Sequence, residues 1–381
     1  MKIYNAIGIM SGTSMDGIDA ALVEIHRDEL GKSTIKYIDF YFESYPENVR
    51  ARLLELADRA QTTTQEITLA HHLIGRLYTE TVKKLMAKHT DIKLDLIGTH
   101  GQTLYHSLEE ETYLGHLSQG SLQLGEPSYL AEEFNCPVIS DFRVRDIAAN
   151  GLGAPLVPFV EYDLYATDED VVFLNVGGIS NISFIGPDPS ETVGFDSGPG
   201  NMLIDQAMVD ISNNELTYDE DGAFAAAGTT SPELLSYALE NPYYKQTPPK
   251  NSGRENFGQE TYDNLKKKAE ELGLSQEDFV RSLTTLTARA NADAIREFCP
   301  RMPVKLIVSG GGSKNKTLLA ELESALPDVE VLLGDILEYP NDAKEAIAFA
   351  YLGYKTLMRE PNTLHQTTGA KHDVIMGKIS Y

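Results

Sequence analysis

Val193-Gly194-Phe195-Asp196-Ser197-Gly198-Pro199-Gly200-Asn201-Met202-Leu203-Ile204-Asp205 is the stretch on which the reading of the chain turns. A strand-like approach ends in an acid, small or ring-fixed residues follow, and a helix-like run opens near Asn201. Gly198 and Gly200 let the backbone turn sharply and let another molecule come close. Pro199 fixes one dihedral of that turn. On this reading Asp196 is the last side chain a strand delivers to an open sheet edge, where α/β folds place their chemistry. The competing reading makes Asp196 the cap of the following helix, since Asp and Ser are common caps.

The surrounding pattern bears on the choice. Val171 to Val176, Gly177-Gly178 and Ile179 to Ile185 read as strand, glycine turn, strand. The chain opens the same way, with Lys2 to Met10, the turn Ser11-Gly12-Thr13-Ser14-Met15-Asp16-Gly17, and Ile18 to Ile25. The likeness is one of pattern, not identity, and suggests a duplicated fold whose halves grip a phosphate chain from both sides. A hairpin needs only Gly and Asn or Asp at its turn. The hydroxyls of Ser11, Thr13 and Ser14, with Asp16 and Asp19, exceed that need. Such a loop can cradle phosphate oxygens, and an acid beside it can hold a magnesium ion, usually through water. A merely decorated turn is the alternative. Farther on, the strand Val304 to Val308 runs into Ser309-Gly310-Gly311-Gly312-Ser313. Three glycines between a strand and a helix let a nucleotide lie against bare backbone.

Elsewhere, Ile35 to Ser44 reads as a third antiparallel strand, and Pro46 to Asp58 and Thr64 to Thr90 read as helices. The short strand Leu94 to Gly98 delivers Thr99-His100-Gly101-Gln102-Thr103, in which His-Gly reads equally as a site or as a structural turn. Asp141-Phe142-Arg143-Val144-Arg145-Asp146 is either a self-paired surface cluster or an arginine set for an anion. Gly151 to Pro155 reads as a loop entering the second lobe. In Pro248-Pro249-Lys250-Asn251-Ser252-Gly253-Arg254-Glu255 the two cations hint at an anion, with a solvated loop as the other reading. Ser275 is placed to cap a helix running to Phe298. Glu345, among alanines in the helix Asp342 to Leu357, reads as a buried acid with a partner or a task.

The bounds are those of a globular protein. At 381 residues the natural division is two lobes of about 150–200 residues. A formal charge of −25 argues against nucleic acid or an anionic membrane surface as partner. Cys136 and Cys299 lie far apart with no CxxC spacing and are expected as free thiols in a reducing cytoplasm. Met1 to Met10 carries one lysine and no long apolar run, so neither a signal peptide nor a membrane span is expected.

Taken together, the three glycine sites resemble the phosphate-1, phosphate-2 and adenosine segments of the superfamily of sugar kinases, heat-shock ATPases and actin. Within it, nine runs closely resemble the anhydro-N-acetylmuramic acid kinase family and cover essentially the whole chain. They are Gly8 to Asp19, His100 to Thr103, Asp141-Phe142-Arg143 with Arg145-Asp146, Gly153 to Pro158, Asn175 to Asn181, Gly194 to Asn201, Pro248 to Glu255, Gly310 to Gly312, and Glu345-Ala346.

The resemblance implies an α/β, two-lobed actin-like ATPase fold, each lobe a duplicated ribonuclease H-like mixed sheet with helices. The first lobe would be 1–140 plus about 359–381, and the second 141–358. It implies a cytoplasmic, homodimeric enzyme of cell-wall recycling using ATP and magnesium. The enzyme would add water at C1 of anhydro-N-acetylmuramic acid and phosphorylate O6. Asp196 would take the proton from the attacking water, and Glu345 would be a second carboxylate near the sugar or that water. An ordinary Asp, with a pKa of about 3.9, is ionised at pH 7 and available as a base. Gly12, Thr13, Ser14, Met15, Asp16, Gly17, Ile18 and Asp19 carry over as the ATP-phosphate loop. Gly177, Gly178, Gly310, Gly311 and Gly312 join it, and Asp16 and Asp19 hold the metal through water. His100, Gln102, Arg143 and Asn181 carry over to the sugar.

The chain departs from the family at Asn150-Gly151-Leu152-Gly153, at Asn251-Ser252, and in a longer 107–120 segment. With no tryptophan, stacking on the sugar would fall to His100, Tyr105 or Phe195. Two other readings stand beside the first: a levoglucosan-type anhydrosugar kinase, and an actin-like or heat-shock-like ATPase switch.

Overall fold

Buried residues run through both arms of the first hairpin, β1 (Lys2–Ser11) and β2 (Gly17–Arg27), and β3 (Ser33–Ser44) extends it antiparallel. The computed structural model describes residues 2–58, 61–107 and 110–381, apart from the Arg254 side chain, so the expected second cation of the 248–255 loop lies outside it. The chain divides into two compact units, Met1–Leu164 with Glu338–Tyr381, and Tyr165–Leu337.

In the first unit β4 (Leu96–His106) pairs parallel to β1. It is followed by a two-stranded ribbon, β5 (Glu111–Tyr113) and β6 (His116–Ser118), then β7 (Ser121–Leu124) and β8 (Val138–Ser140). The sheet order is β8-β4-β1-β2-β3, with the C-terminal strand Lys378–Ser380 antiparallel on β8 and β7 antiparallel on β4. β4 is longer than the sequence suggests: Thr99 to Thr103 lie within the strand, and pairing with β7 carries it on to His106.

One face of this sheet is covered by the helix Lys344–Leu357, and the approach is backbone to backbone. A Cβ on Gly8 would stand 1.7 Å from the Ala346 carbonyl oxygen, and one on Gly98 would stand 2.0 Å from that of Phe349. That close seating places 344–357 in the first unit instead of the second lobe. The 141–164 segment also belongs to the first unit, through Asp146 to Thr368 and Arg143 to His100. The loop 151–155 therefore leads into a helix, Val157–Tyr165, that lies almost wholly in the first unit. The helix Thr64–Met86 packs with β2, β3 and β7, and its start is capped by Thr63 accepting from the Glu66 N–H at 3.1 Å.

The second unit repeats the plan with β9 (Val171–Val176), β10 (Ile179–Ile185), β11 (Val193–Pro199), β12 (Lys305–Ser309) and β13 (Glu330–Leu333). Its order is β11-β10-β9-β12-β13. β9, β10 and β11 are antiparallel, while β12 and β13 are parallel additions. This is the arrangement of β3-β2-β1-β4-β8, so the expected mixed sheet is present twice. The helix Gln276–Phe298 packs against β10 and β11, capped by Ser275 accepting from the Asp278 N–H at 3.1 Å as expected. Both cysteines are free thiols. Among the described residues no helix is long and apolar enough to cross a membrane.

Candidate active site

In the first unit the polar turn is anchored from beneath. The Ser11 hydroxyl is buried and lies 3.1 Å from both the Tyr45 and Tyr78 hydroxyls, which donate to it. It is a foundation, not a phosphate-facing group. The Gln102 amide donates to the Gly12 carbonyl at 3.0 Å, and the Tyr45 N–H donates to that of Asp16 at 3.1 Å. Thr13, Ser14 and Asp16 are left exposed, with Ser14 donating to the Asp16 carboxylate at 2.8 Å. The Met15 and Ile18 side chains are core, so they could meet a phosphate only through backbone. Gly17 is set by β3, since a Cβ there would stand 2.4 Å from the Glu43 carbonyl oxygen. Asp19 is half-buried, and its carboxyl is pushed up to about 7, first by burial and then by the charges of Asp16, Glu345 and Asp342.

His100 and Arg143 are locked together. The His100 Nδ1 lies 2.7 Å from the Gly101 carbonyl, so Nδ1 carries the proton and Nε2 accepts from Arg143 Nε (3.1 Å) and Nη2 (3.0 Å). Burial and then the Arg143 charge hold the imidazole well below its usual range, so it is neutral. Arg143 Nη1 donates to the Gly153 carbonyl at 2.9 Å. The acids of this run pair elsewhere: Asp141 with Lys378, and buried Asp146 with the Gly153 N–H (2.8 Å) and the Thr368 hydroxyl (2.7 Å). Each acid of the cluster thus bonds to a group outside it.

Buried polar atoms of Thr99, Gln102, His106 and Gln123, on β4 and β7, have no hydrogen-bond partner among the described residues. Leaving such atoms unmatched is costly, so this region suits a hydroxyl-rich ligand or water. His106 is pushed down to about 4, by burial and then by Arg143. Glu345 differs from expectation: its side chain is open to water and only its alanine neighbours are enclosed. Dense surrounding protein still raises its pKa, against the charges of Lys344 and Arg143.

In the second unit Asp196 is not a helix cap. It lies inside β11, and the helix Met202–Ile211 starts six residues later with Asn201 as its cap position. It faces Asn181 across the pair, at a bulge between Ser180 and Asn181; Asn181 faces Asn175, and Asn175 faces Ser309. These four residues form one cross-strand row, and bulges of this kind re-aim side chains beside active sites. Three contacts from one segment hold Asp196. Its N–H donates to the Lys250 carbonyl (3.2 Å), its carbonyl accepts from the Tyr243 hydroxyl (2.7 Å), and its Oδ2 accepts from the Ser252 N–H (2.8 Å).

Gly200 is required by the chain itself, since a Cβ would stand 2.1 Å from the Gly177 carbonyl oxygen. The Asn201 N–H closes that contact at 2.8 Å, joining the Gly177-Gly178 turn to the helix start. Gly310 takes a positive φ of 77° against Asn175, and a Cβ on Gly312 would stand 2.4 Å from Val176. Gly311 meets only the Asn201 amide, at 3.3 Å. Of the proposed stacking residues, His100 and Phe195 are buried and only Tyr105 has an open ring.

Asn175, Tyr243 and Asp205 have no role in the sequence reading. Asn175 could have been noticed as the polar break in an apolar strand; Tyr243 carried no signal. Asp205, in the first turns of the 202–211 helix, is pushed up to about 7 by burial. A folded-state pKa above the unfolded one gives stability that is present at low pH and lost as pH rises through 7. Asp205→Asn should therefore raise the melting temperature by several degrees at pH 8, with the gain vanishing near pH 4, as read by scanning calorimetry.

A family model described as anhydro-N-acetylmuramic acid kinase matches residues 4–381. Proteins of that name from Caldanaerobacter subterraneus subsp. tengcongensis and Francisella tularensis subsp. novicida are each 40% identical. The alignments cover 100% of this chain and 99% of the first relative, and 98% of each chain for the second. The one from Clostridioides difficile is 37% identical, over 98% of each chain. Among solved structures, gluconate kinase from Lactobacillus acidophilus aligns over 98% of this chain and 94% of its own at 11% identity, with a TM-score of 0.47. With full-length matches on both sides, the chain belongs to the anhydro-N-acetylmuramic acid kinase family.

Proposed function

We propose that this kinase opens anhydro-N-acetylmuramic acid by adding water at C1 and phosphorylates O6, giving N-acetylmuramic acid 6-phosphate and ADP, as a cytoplasmic homodimer in cell-wall recycling. The observation that carries the reading is the way Asp196 is held, its backbone and carboxylate fixed by Lys250, Tyr243 and Ser252. A base fixed on a rigid strand keeps the geometry that proton abstraction needs.

Asp196 takes the proton of the water attacking C1; the C1–O6 bond breaks, and O6 attacks the γ-phosphorus of ATP as ADP leaves. Asn181, beside Asp196 in the cross-strand row, would orient the water or the sugar. Neutral His100, with both ring nitrogens engaged, would serve the sugar by holding Arg143 in place. The unmatched atoms of Thr99, Gln102, His106 and Gln123 suit hydroxyl groups. Glu345, open to water, would be the second carboxylate.

The phosphate loop is the exposed backbone and hydroxyls of Gly12, Thr13 and Ser14, with Gly177, Gly178 and Gly310 to Gly312 as the bare-backbone segments of the second unit. The residues present fit a magnesium ion: Asp19 is crowded by Asp16, Glu345 and Asp342, and a divalent cation relieves such crowding. Among the described residues no three ligating groups converge on one point, so Asp16 and Asp19 would hold the ion through water and phosphate. Bound there, it would neutralise phosphate charge.

The test is direct. Incubation with ATP, magnesium and anhydro-N-acetylmuramic acid should yield a ring-opened 6-phosphate with one ADP per sugar. Levoglucosan in the same assay should turn over far more slowly. ATP hydrolysis indifferent to either sugar would overturn the reading.

A further inference from the structure

Lys250 is the unexpected residue of the 248–255 loop. Its side chain is 5% exposed, and among the described residues it makes no ion pair. Its ammonium nitrogen lies 4.4 Å from the ring centre of Phe298, 4.8 Å from Tyr243 and 5.4 Å from Phe195. It also donates to the Tyr243 carbonyl at 3.4 Å. Phe195 and Phe298 meet edge to face at 5.5 Å and close the enclosure. A lysine buried this way has lost its water, and only the ring faces and one carbonyl replace it. A leucine or methionine would fill the space without that cost. Two of the rings and the ammonium sit on the segments that hold Asp196, while Phe298 ends the 276–298 helix: Phe195 precedes it, Tyr243 donates to its carbonyl, and the Lys250 carbonyl accepts its N–H.

We propose that Lys250 is a positioning residue, whose caged ammonium fastens the 243–252 segment to β11 and so sets the orientation of Asp196. The proposal rests on the reading of Asp196 as the base. Burial pushes the ammonium down to about 8, against the charges of Glu297 on the 276–298 helix and of Asp196 itself. The Tyr243 hydroxyl, the other titratable group at the cage, is pushed above its usual range by burial and stays neutral throughout. The cage therefore holds a cation below pH 8 and loses it above.

The experiment measures kcat and KM from pH 6.5 to 9.5 for the wild type, Lys250→Met and Lys250→Arg, with Asp196→Asn alongside. Methionine keeps the apolar stem and removes the charge. We expect kcat of the wild type to fall above pH 8. We expect Lys250→Met to lose roughly tenfold to a hundredfold in kcat at pH 7, with KM nearly unchanged and no alkaline limb, as a misplaced reacting group would. Lys250→Arg should restore part of kcat and move the limb beyond pH 9.5. A Lys250→Met enzyme with wild-type kcat overturns the proposal. If that variant does not fold, a flat wild-type profile, or a limb still at pH 8 in Lys250→Arg, overturns it. Turnover by Asp196→Asn at the wild-type rate would instead remove the base, whatever the Lys250 variants show.

Discussion

Asparagine at position 196 should lower kcat by roughly 10²–10⁴-fold, the usual worth of a positioned general base. The amide oxygen can still accept the Ser252 N–H, and both backbone clamps, to Lys250 and from Tyr243, are untouched. The melting temperature should therefore hold, and calorimetric titration should find sugar and a non-hydrolysable ATP analogue bound as before. Loss confined to turnover marks an interaction made in the transition state alone. An Asp196→Asn enzyme that works at the normal rate would move the base elsewhere, with Glu345 the next carboxylate to replace.

The second large effect concerns folding. Gly98→Ala puts a methyl group 2.0 Å from the Phe349 carbonyl oxygen, and Gly8→Ala puts one 1.7 Å from that of Ala346. Neither neighbour is a flexible side-chain tip; both are backbone of a helix seated between strands and core. The helix must lift, and overpacking of this kind costs about 1–3 kcal/mol or more. In a domain of this size each kcal/mol shifts the melting temperature by roughly 2–4 °C. Either substitution should lower it by about 5 °C or more, and the pair should fail to give soluble protein. An unchanged melting curve for Gly98→Ala would mean that the helix is not held as closely as described.

Much of the architecture could be read from local pattern. Both glycine hairpins stand where alternation and small turn residues put them, because hairpin pairing is decided by neighbours in sequence. Ser275 caps its helix for the same reason. What escaped was decided by distant partners. β4 outruns its apolar stretch because β7 pairs with its polar half. Glu345 is open although Lys344 and Ala346 to Thr356 are buried, so the enclosure of the helix around it does not extend to that one side chain. Lys250 reads in sequence as a cation offered to an anion, yet Tyr243 from its own segment, Phe195 of β11 and Phe298 of the 276–298 helix enclose it. Gly200 and Gly17 look like ligand-facing glycines, but the chain's own carbonyls require them. Sequence could name candidate positions for the site, but not the contacts that orient Asp196 and His100.

The split of the first unit around the second constrains synthesis at the ribosome. The nascent N-terminal sheet emerges with Gly8 and Gly98 bare, because the helix that covers them is translated only after the whole of 165–337. The later unit has all its strands in one continuous stretch and can mature first. Through that interval the earlier sheet depends on chaperone protection or stays unfinished, which makes slow translation after residue 337 a hazard for yield.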